Sequence, residues 1–439
     1  MKKALVIGSG FSGLSAAMHL AKNGYQVKVL EKHDGPGGRC RLWESEGFRF
    51  DMGPSSYRIP DVFDRFFASF GKKTSDYYEL QRLDPSYRVF FEKDVWDIPA
   101  SVEALGDLFE SVEPGSKKHL YAFLEEARYK YEVGMQSLVY KPGRTLTEFA
   151  DWRVMKSVFR LDLFKSISHH LGKRFKDPRI LQLLEFPVLF LGAKPEKTPA
   201  LYSLMNYADI ALGTWYPKGG MFEIVRGMHR LAEELGVNFE FNTEVNQLEV
   251  NSGNVKAVHT NRGVFHADVV IGGGDYHHIE SKLLDKPWRN YSEDYWESRT
   301  MAPSSLLFYL GVDKEVPGLL HHNLFFDTDF NQHAKEIYDN PSWPINPLFY
   351  VSCTSKTDDT VAPKGKENLF VLIPLAPGLE DNLEMREHYY HLVMERLESR
   401  IGMAIRPHVS VKRSYAMNDF VDDYNAFKGN AYGLANTLK

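Results

Sequence analysis

Apolar and polar positions divide this chain into short apolar runs bounded by glycines and longer stretches with helical spacing. Lys3–Ile7 and Gln26–Leu30 are runs of the first kind, as buried strands are. Between them, 14–22 is rich in small residues and stops at Asn23-Gly24, which predicts a helix and therefore a strand–helix–strand unit. Helical spacing recurs at 61–70, 104–112, 117–134, 222–235 and 385–401, and a long, mainly helical stretch covers 151–191. Strands are predicted at Tyr87–Phe91, Val95–Ile98, 304–310, 348–352 and 369–374. The segments 237–241, 244–250 and 255–260 predict a β-meander, and 264–271 predicts a further strand ending at Gly272-Gly273-Gly274-Asp275. Alternating strands and helices place the chain in the α/β class.

Gly8, Gly10 and Gly13 stand at G-x-G-x-x-G spacing between the first strand and the first helix. Gly8 makes the tight turn, Gly10 lets the backbone approach a pyrophosphate, and Gly13 packs helix on strand; the free N–H groups of the helix start favour an anion. Glu31, eighteen residues past Gly13, ends the second strand where a carboxylate meets ribose hydroxyls. An acid rather than an arginine there favours NAD or FAD over NADP. The same glycines, with Lys22-Asn23, argue against reading the start as a signal peptide. Gly272-Gly273-Gly274 lacks a third fingerprint glycine and a following helix pattern, so it is expected to close back on the same cofactor rather than start a second dinucleotide fold.

Two further glycine pairs sharpen the reading. Gly37-Gly38-Arg39 follows Glu31; adjacent glycines allow close backbone approach, and an arginine clamps a phosphate. Phe48 to Ser55 reads as a strand ending in a Gly53-Pro54 turn, and Trp215-Tyr216-Pro217-Lys218-Gly219-Gly220-Met221 opens a helix in a way that suits close approach to a ring or a phosphate.

Composition excludes more than it assigns. At 439 residues the chain has room for two or three domains, and a net charge of −5 gives no reason to expect nucleic acid. Cys40 and Cys353 are the only cysteines, so neither a disulfide framework nor a cysteine metal site is expected. His169-His170, His277-His278 and His321-His322 lack further ligands at metal-binding spacing, so no metal is expected. No apolar run is long enough to span a bilayer. Between 151 and 180, eight Lys/Arg stand against three Asp among apolar residues, which reads either as an anionic-membrane-binding face or as a solvated face over a core. The apolar run 186–191 either lines a substrate channel or is plain core.

The succession of fingerprint, terminal Glu31, Gly37-Gly38-Arg39 and Asp51-Met52-Gly53-Pro54 resembles the amine-oxidase and phytoene-desaturase superfamily of FAD enzymes. With the Trp215–Met221 motif and Lys428-Gly429-Asn430-Ala431-Tyr432-Gly433-Leu434, the chain is similar to the bacterial carotenoid (phytoene) desaturases over nearly its whole length. The resemblance implies a Rossmann-type FAD-binding domain with an interleaved α+β substrate domain and a mainly helical membrane-associating subdomain. In that scheme 1–100 and 211–290 bind FAD, 101–210 is the helical region and 291–415 the substrate domain. Residues 416–439 begin a C-terminal FAD-binding segment whose Gly/Pro-rich turn and final helix are expected beyond the present sequence, a C-terminally shortened piece. FAD is expected on Gly8, Gly10, Gly13, Leu14, Glu31, Lys32, Gly38, Arg39, Gly53, Pro54, Ser55 and Val245.

The implied activity is desaturation of a linear C40 polyene such as phytoene, towards lycopene. Removing two hydrogens from an unactivated CH–CH unit requires a two-electron acceptor, which a flavin supplies. Phe190, Leu191, Trp215 and Tyr216 are the candidate substrate contacts, and Asp275 and Tyr216 the candidate acid–base groups, because they follow cofactor-proximal turns. The implied protein is cytoplasmic and peripheral to the cytoplasmic membrane, with oxygen or a quinone reoxidising the flavin. An amine oxidase, a late or C30 carotenoid desaturase, and a non-catalytic isoprenoid carrier like the prenyl-protein escort proteins remain as alternatives; the complete FAD set speaks against the carrier.

Overall fold

The computed structural model describes the chain except residues 136–138, 142–144, 146–164, 192–193 and 436–439. The strand–helix–strand unit forms as the periodicity predicts: β1 (Lys3–Ile7), α1 (Phe11–Lys22) and β2 (Gln26–Leu30). β1 lies between β2 and the strand Val269–Gly272, both parallel to it, and Asn238–Glu240 adds parallel to β2. A parallel sheet is covered on both faces, so its strands are apolar on both. On one face Val6, Val27 and Val29 pack with Leu14 and Met18 of α1 and with Ile224, Met228 and Leu231 of the helix Phe222–Glu234. On the other, Leu5, Ile7 and Leu30 meet Leu248 and Val258 of a meander formed by Val245–Asn251, Asn254–Thr260 and Gly263–Phe265.

Two expectations change here. The segment 237–241 is not the first meander strand; following a helix packed on the sheet, it returns as a parallel strand, as crossover connections do. The segment expected as one strand over 264–271 divides between meander and parallel sheet. The chain turns at Asp268, whose N–H donates to the Lys3 carbonyl and whose Oδ2 accepts the Lys3 N–H at 2.7 Å.

The second sheet has seven strands in the order Val409–Tyr415, Ser304–Val312, Glu367–Leu375, Phe349–Ser352, His322–Phe326, Tyr87–Phe91, Val95–Ile98, antiparallel except between His322–Phe326 and Tyr87–Phe91. Tyr87–Phe91 and Val95–Ile98, grouped in the sequence scheme with the first FAD-binding segment, thus hydrogen-bond into the sheet of the 291–415 region. One face packs on the helix Leu383–Ile401, with Phe308, Phe325, Val351 and Val371 against Tyr390, Val393 and Leu397. The opposite face divides. At one end Val89, Phe91 and Leu324 lie under the helices Val102–Val112, Ser116–Val133, Ile167–Gly172 and Pro178–Glu185. At the other, Leu307, Tyr309 and Phe370 meet Phe48, Phe50 and Met52 of the hairpin Leu42–Ser45/Phe48–Asp51.

Of the basic stretch, residues 151–164 lie outside the described residues. In the rest, Ile167, Leu171 and Phe175 are fully buried in the core. Arg174 pairs with Glu126, and Arg179 with Asp177 and Asp94. This part uses its apolar side to pack the protein and its two arginines to hold neighbouring elements. No described helix is long and apolar enough to cross a membrane.

Phe325 is fully buried between the rings of Phe90 and Phe349, both stacked within 8° of parallel at 4.5 and 4.2 Å. Phe325→Ala is expected to cost about 3–5 kcal/mol in denaturant unfolding.

Candidate active site

A cavity of about 450 Å3 lies at the C-terminal ends of β1, β2 and Val269–Gly272, where open α/β sheets bind ligands. Its floor is backbone. A Cβ on Gly13 would sit 2.0 Å from the Gly8 carbonyl oxygen, so α1 meets the β1 turn at a distance no side chain permits. A Cβ on Gly38 would lie 3.1 Å from the Gly10 Cα, and one on Gly273 2.9 Å from the Ile7 carbonyl oxygen. The three glycine turns are thus pressed into one surface. The Gly273 N–H donates to Ile7 and the Ser12 hydroxyl to Gly273. α1 has no acidic residue in its first turn, which leaves its N-terminus free for an anion.

Glu31 is buried at the cavity wall and rigidly held. Its Oε2 accepts from the Ser9 N–H at 2.8 Å and the Ser9 hydroxyl at 2.7 Å, and its Oε1 from the His33 N–H at 3.0 Å. A carboxylate has about four acceptor sites, so capacity for a hydroxyl donor remains. Arg39 lines the same cavity, and its buried Nε and Nη2 have no hydrogen-bond partner among the described residues. An uncompensated guanidinium beside glycine backbone and a helix N-terminus fits a pyrophosphate, and a fixed carboxylate fits a ribose; the residues present therefore suit FAD.

Of the predicted cofactor residues, Gly8, Gly10, Glu31, Lys32, Gly38, Arg39, Pro54 and Val245 line the cavity, as does Asp275. Asp275 accepts the His278 N–H at 3.1 Å and so caps the short helix Tyr276–His278. Gly13 and Leu14 lie behind the floor, with Leu14 fully buried. Gly53 is also behind it: a Cβ there would meet the Arg39 carbonyl oxygen at 2.2 Å. Ser55 reaches instead to Tyr350 of the second sheet. One wall was not singled out from the sequence: Asp423, Tyr424 and Asn425, at the end of the helix Met417–Tyr424. Arg41 pairs with Asp423, whose carboxylate also takes the Tyr415 hydroxyl at 2.8 Å, and the Arg39 guanidinium lies 5.5 Å from the Tyr424 ring. Asn425 ends that helix at φ 52°, a stop that an asparagine after a helical run signals.

The Gly219-Gly220 pair does not itself wall this cavity. A Cβ on Gly220 would lie 3.1 Å from both Asp51 carboxylate oxygens, so the close approach is to Asp51. Asp51 accepts the N–H groups of Met221 and Phe222 at 2.8 and 3.0 Å, at the start of the helix Phe222–Glu234, and Asp358 accepts from Gly219 at 2.6 Å. Trp215 donates its indole N–H to Leu212, and the fully buried Tyr216 packs its ring 4.6 Å from that of His321.

A second, narrow cavity of about 50 Å3 lies on the seven-stranded sheet beneath the helix Phe330–Tyr338. Its walls are Phe186, Leu324, Phe326, Phe330, Ile337 and Leu348, with Tyr350 towards one end. His333 also lines it, but both ring nitrogens are committed: Nε2 to the Pro374 carbonyl at 2.9 Å and Nδ1 to the Leu348 N–H at 3.0 Å. Burial lowers its pKa to about 4, so it is neutral at ordinary pH. The side chains of Phe190 and Leu191 lie outside the described residues; Phe186, in the same short helical segment Phe186–Leu191, reaches the cavity.

The family profile described as flavin containing amine oxidoreductase matches residues 11–437. The chain is 41% identical to a carotenoid 3,4-desaturase of Haloarcula japonica, over 99% of this chain and 88% of that one. It is 32% identical to a zeta-carotene-forming phytoene desaturase of Myxococcus xanthus, over 99% and 84%. Among solved structures it is similar in fold to an oxidoreductase from Methanosarcina mazei, with a TM-score of 0.62 at 18% identity, covering 94% of this chain and 88% of that one.

Gly13→Ala forces backbone apart beneath the cavity and is expected to give protein without bound FAD, read as loss of flavin absorbance relative to protein. Asp51 has a second signature. Desolvation raises its pKa from 3.8 to about 6, against the two backbone hydrogen bonds that lower it. The unfolded chain gives up this proton first, so Asp51 subtracts stability as pH rises through that window, by about 3 kcal/mol once ionised. Asp51→Asn removes the term. The Tm of the variant minus that of the wild type is expected to rise between about pH 4 and 7.

Proposed function

This chain belongs to the carotenoid desaturases within the flavin-containing amine oxidoreductase family, and from that premise we propose that it desaturates a long linear C40 polyene held against the seven-stranded sheet. It is an FAD-dependent oxidoreductase acting on CH–CH bonds. FAD, when bound, supplies the acceptor for a hydrogen and its electron pair. The chain's own work is placement. Gly8, Gly10, Gly38 and Arg39 hold the pyrophosphate, Glu31 the ribose, and Asp423 to Asn425 supply a further wall. The phenylalanine-lined cavity, far smaller than a C40 chain, meets one segment of the hydrocarbon, excludes water there and aligns one carbon pair. That cavity is the observation which carries the proposal, because its walls offer an unfunctionalised chain dispersion contacts and almost no polar partner.

The position of the new double bond has two readings. Phytoene-type desaturation, towards lycopene, is the broader. The greater identity to a 3,4-desaturase, 41% against 32%, favours a bond near the end of an already conjugated chain. Delivery of such a substrate from a membrane surface, and reoxidation of the flavin by oxygen or a quinone, complete the proposal.

Expression in a phytoene-accumulating and in a lycopene-accumulating bacterium separates the two. Lost phytoene with coloured product is expected for the first reading. Unchanged phytoene, with lycopene absorbance moved to longer wavelength, is expected for the second. Neither change, from flavin-loaded protein, overturns desaturation of these chains. Ala334, buried in the helix over the apolar cavity, offers a finer check. Ala334→Phe fills the cavity at a stability cost of about 1–3 kcal/mol, and is expected to abolish desaturation while FAD content stays at the wild-type level.

A further inference from the structure

The sheet face that lines the apolar cavity changes character along its length. Leu324 stands opposite Val89 on one side and Tyr350 on the other, and Tyr350 opposite Leu372. Side chains directly across a ladder share a face, so these residues and Phe326 form one apolar floor. Two residues back along the same strand is His322, opposite Ser352. His322 is buried, and its Nδ1 lies 2.6 Å from the Tyr350 hydroxyl. Its Nε2 is buried with no hydrogen-bond partner among the described residues. Tyr350 is thus shared: its ring lines the hydrocarbon cavity and its hydroxyl meets an imidazole. Ser55 also lies beside that hydroxyl, two residues past the end of the hairpin strand's Met52-Gly53 turn and next to Pro54 of the cofactor cavity. The polar end of the apolar cavity therefore adjoins the cofactor-binding turn.

We propose that the Tyr350–His322 pair is the acceptor of the proton released in desaturation, Tyr350 touching the substrate and His322 acting behind it as the positioning and proton-storing residue. The inference rests on the desaturase reading. Desaturation breaks two C–H bonds. One hydrogen leaves with its electron pair to FAD; the electron pair of the other C–H bond becomes the new C=C bond, and that hydrogen leaves as a proton. The Tyr350 oxygen takes this proton while its own hydroxyl proton passes to Nδ1, which leaves an imidazolium at His322. His333, in the same cavity, has no such capacity because backbone groups occupy both its nitrogens.

The surroundings set the strength of this base. Burial, then the neighbouring His321 and Arg58, hold the His322 pKa well below 6.5. Arg58 is itself paired with Asp209 at 3.0 Å, and Asp209 takes the Tyr87 hydroxyl at 2.9 Å. His321 faces Tyr216, Thr357 and Asp358. A weak base suffices, because a C–H beside a carbon that is losing hydride is strongly acidic. The pair is also neutral in the resting protein, so no charge faces the hydrocarbon.

The test uses flavin-loaded enzyme with a carotenoid that the wild type desaturates, presented in liposomes. Tyr350→Phe and His322→Gln are expected to lower kcat by about 10²–10⁴-fold at unchanged KM and FAD content. In His322→Ala, added imidazole is expected to restore part of the rate, which a merely structural loss would not allow. Wild-type kcat is expected to stay level on acidification through about pH 6.5, the ordinary histidine value. A readout without substrate accompanies these. Because the unfolded chain protonates His322 first, wild-type Tm falls as pH drops below about 6.5, and His322→Gln is expected to lessen that fall. Wild-type kcat in both variants, or a loss that appears wholly in KM, overturns the proposal and leaves the desaturase reading intact. A wild type that desaturates no carotenoid overturns the desaturase reading, and this inference with it.

Discussion

The carboxylate of Asp51 joins parts of the molecule that the chain separates by about 170 residues. It ends one strand of the hairpin that packs on the seven-stranded sheet, and it takes two N–H groups at the start of the helix that covers the parallel sheet. Each charge-assisted bond contributes about 1.5–3 kcal/mol, and the helix dipole adds to them. Desolvation opposes both, as the raised pKa records. The balance explains why Gly220 has no side chain. Any Cβ there would push the carboxylate from the helix start and leave a desolvated charge without its partners.

Around that joint the two sheets divide the labour. The parallel sheet ends in backbone, which approaches an anion closely and is insensitive to side-chain motion. The seven-stranded sheet presents side chains, aromatic and aliphatic over most of one face and polar at one end. A single turn, Met52 to Ser55, connects them. The Met52 carbonyl accepts the Tyr309 hydroxyl at 2.8 Å, Pro54 lines the cavity at the glycine turns, and Ser55 meets Tyr350. Movement of this turn would displace the linings of both cavities together.

The local parts of this arrangement were legible in the sequence, and the long-range parts were not. Glycine spacing announces the β1–α1 turn because its physics is contained within a dozen residues. Glu31 is similarly local. Gly219-Gly220 was legible as a place of close approach, but nothing nearby names the approaching group, which comes from Asp51. The strand His322–Phe326 was missed because it is short and its first residues are polar; it exists through pairing with Tyr87–Phe91 and Phe349–Ser352. Spacing alone assigns the paired histidines no role. The buried hydrogen bond of His322 depends on Tyr350, twenty-eight residues on, and only register supplies that neighbour.

The cavity at the glycine turns is lined by residues from three distant parts of the chain, 7–54, 243–283 and 423–425. No early portion of the nascent polypeptide can build it, because its lining needs segments as far apart as Ile7 and Asn425. A ligand that binds only the finished fold stabilises it by mass action, about 2.7 kcal/mol at a hundredfold excess over its dissociation constant. A chain that has reached this fold without its ligand lacks that increment and stands correspondingly closer to unfolding.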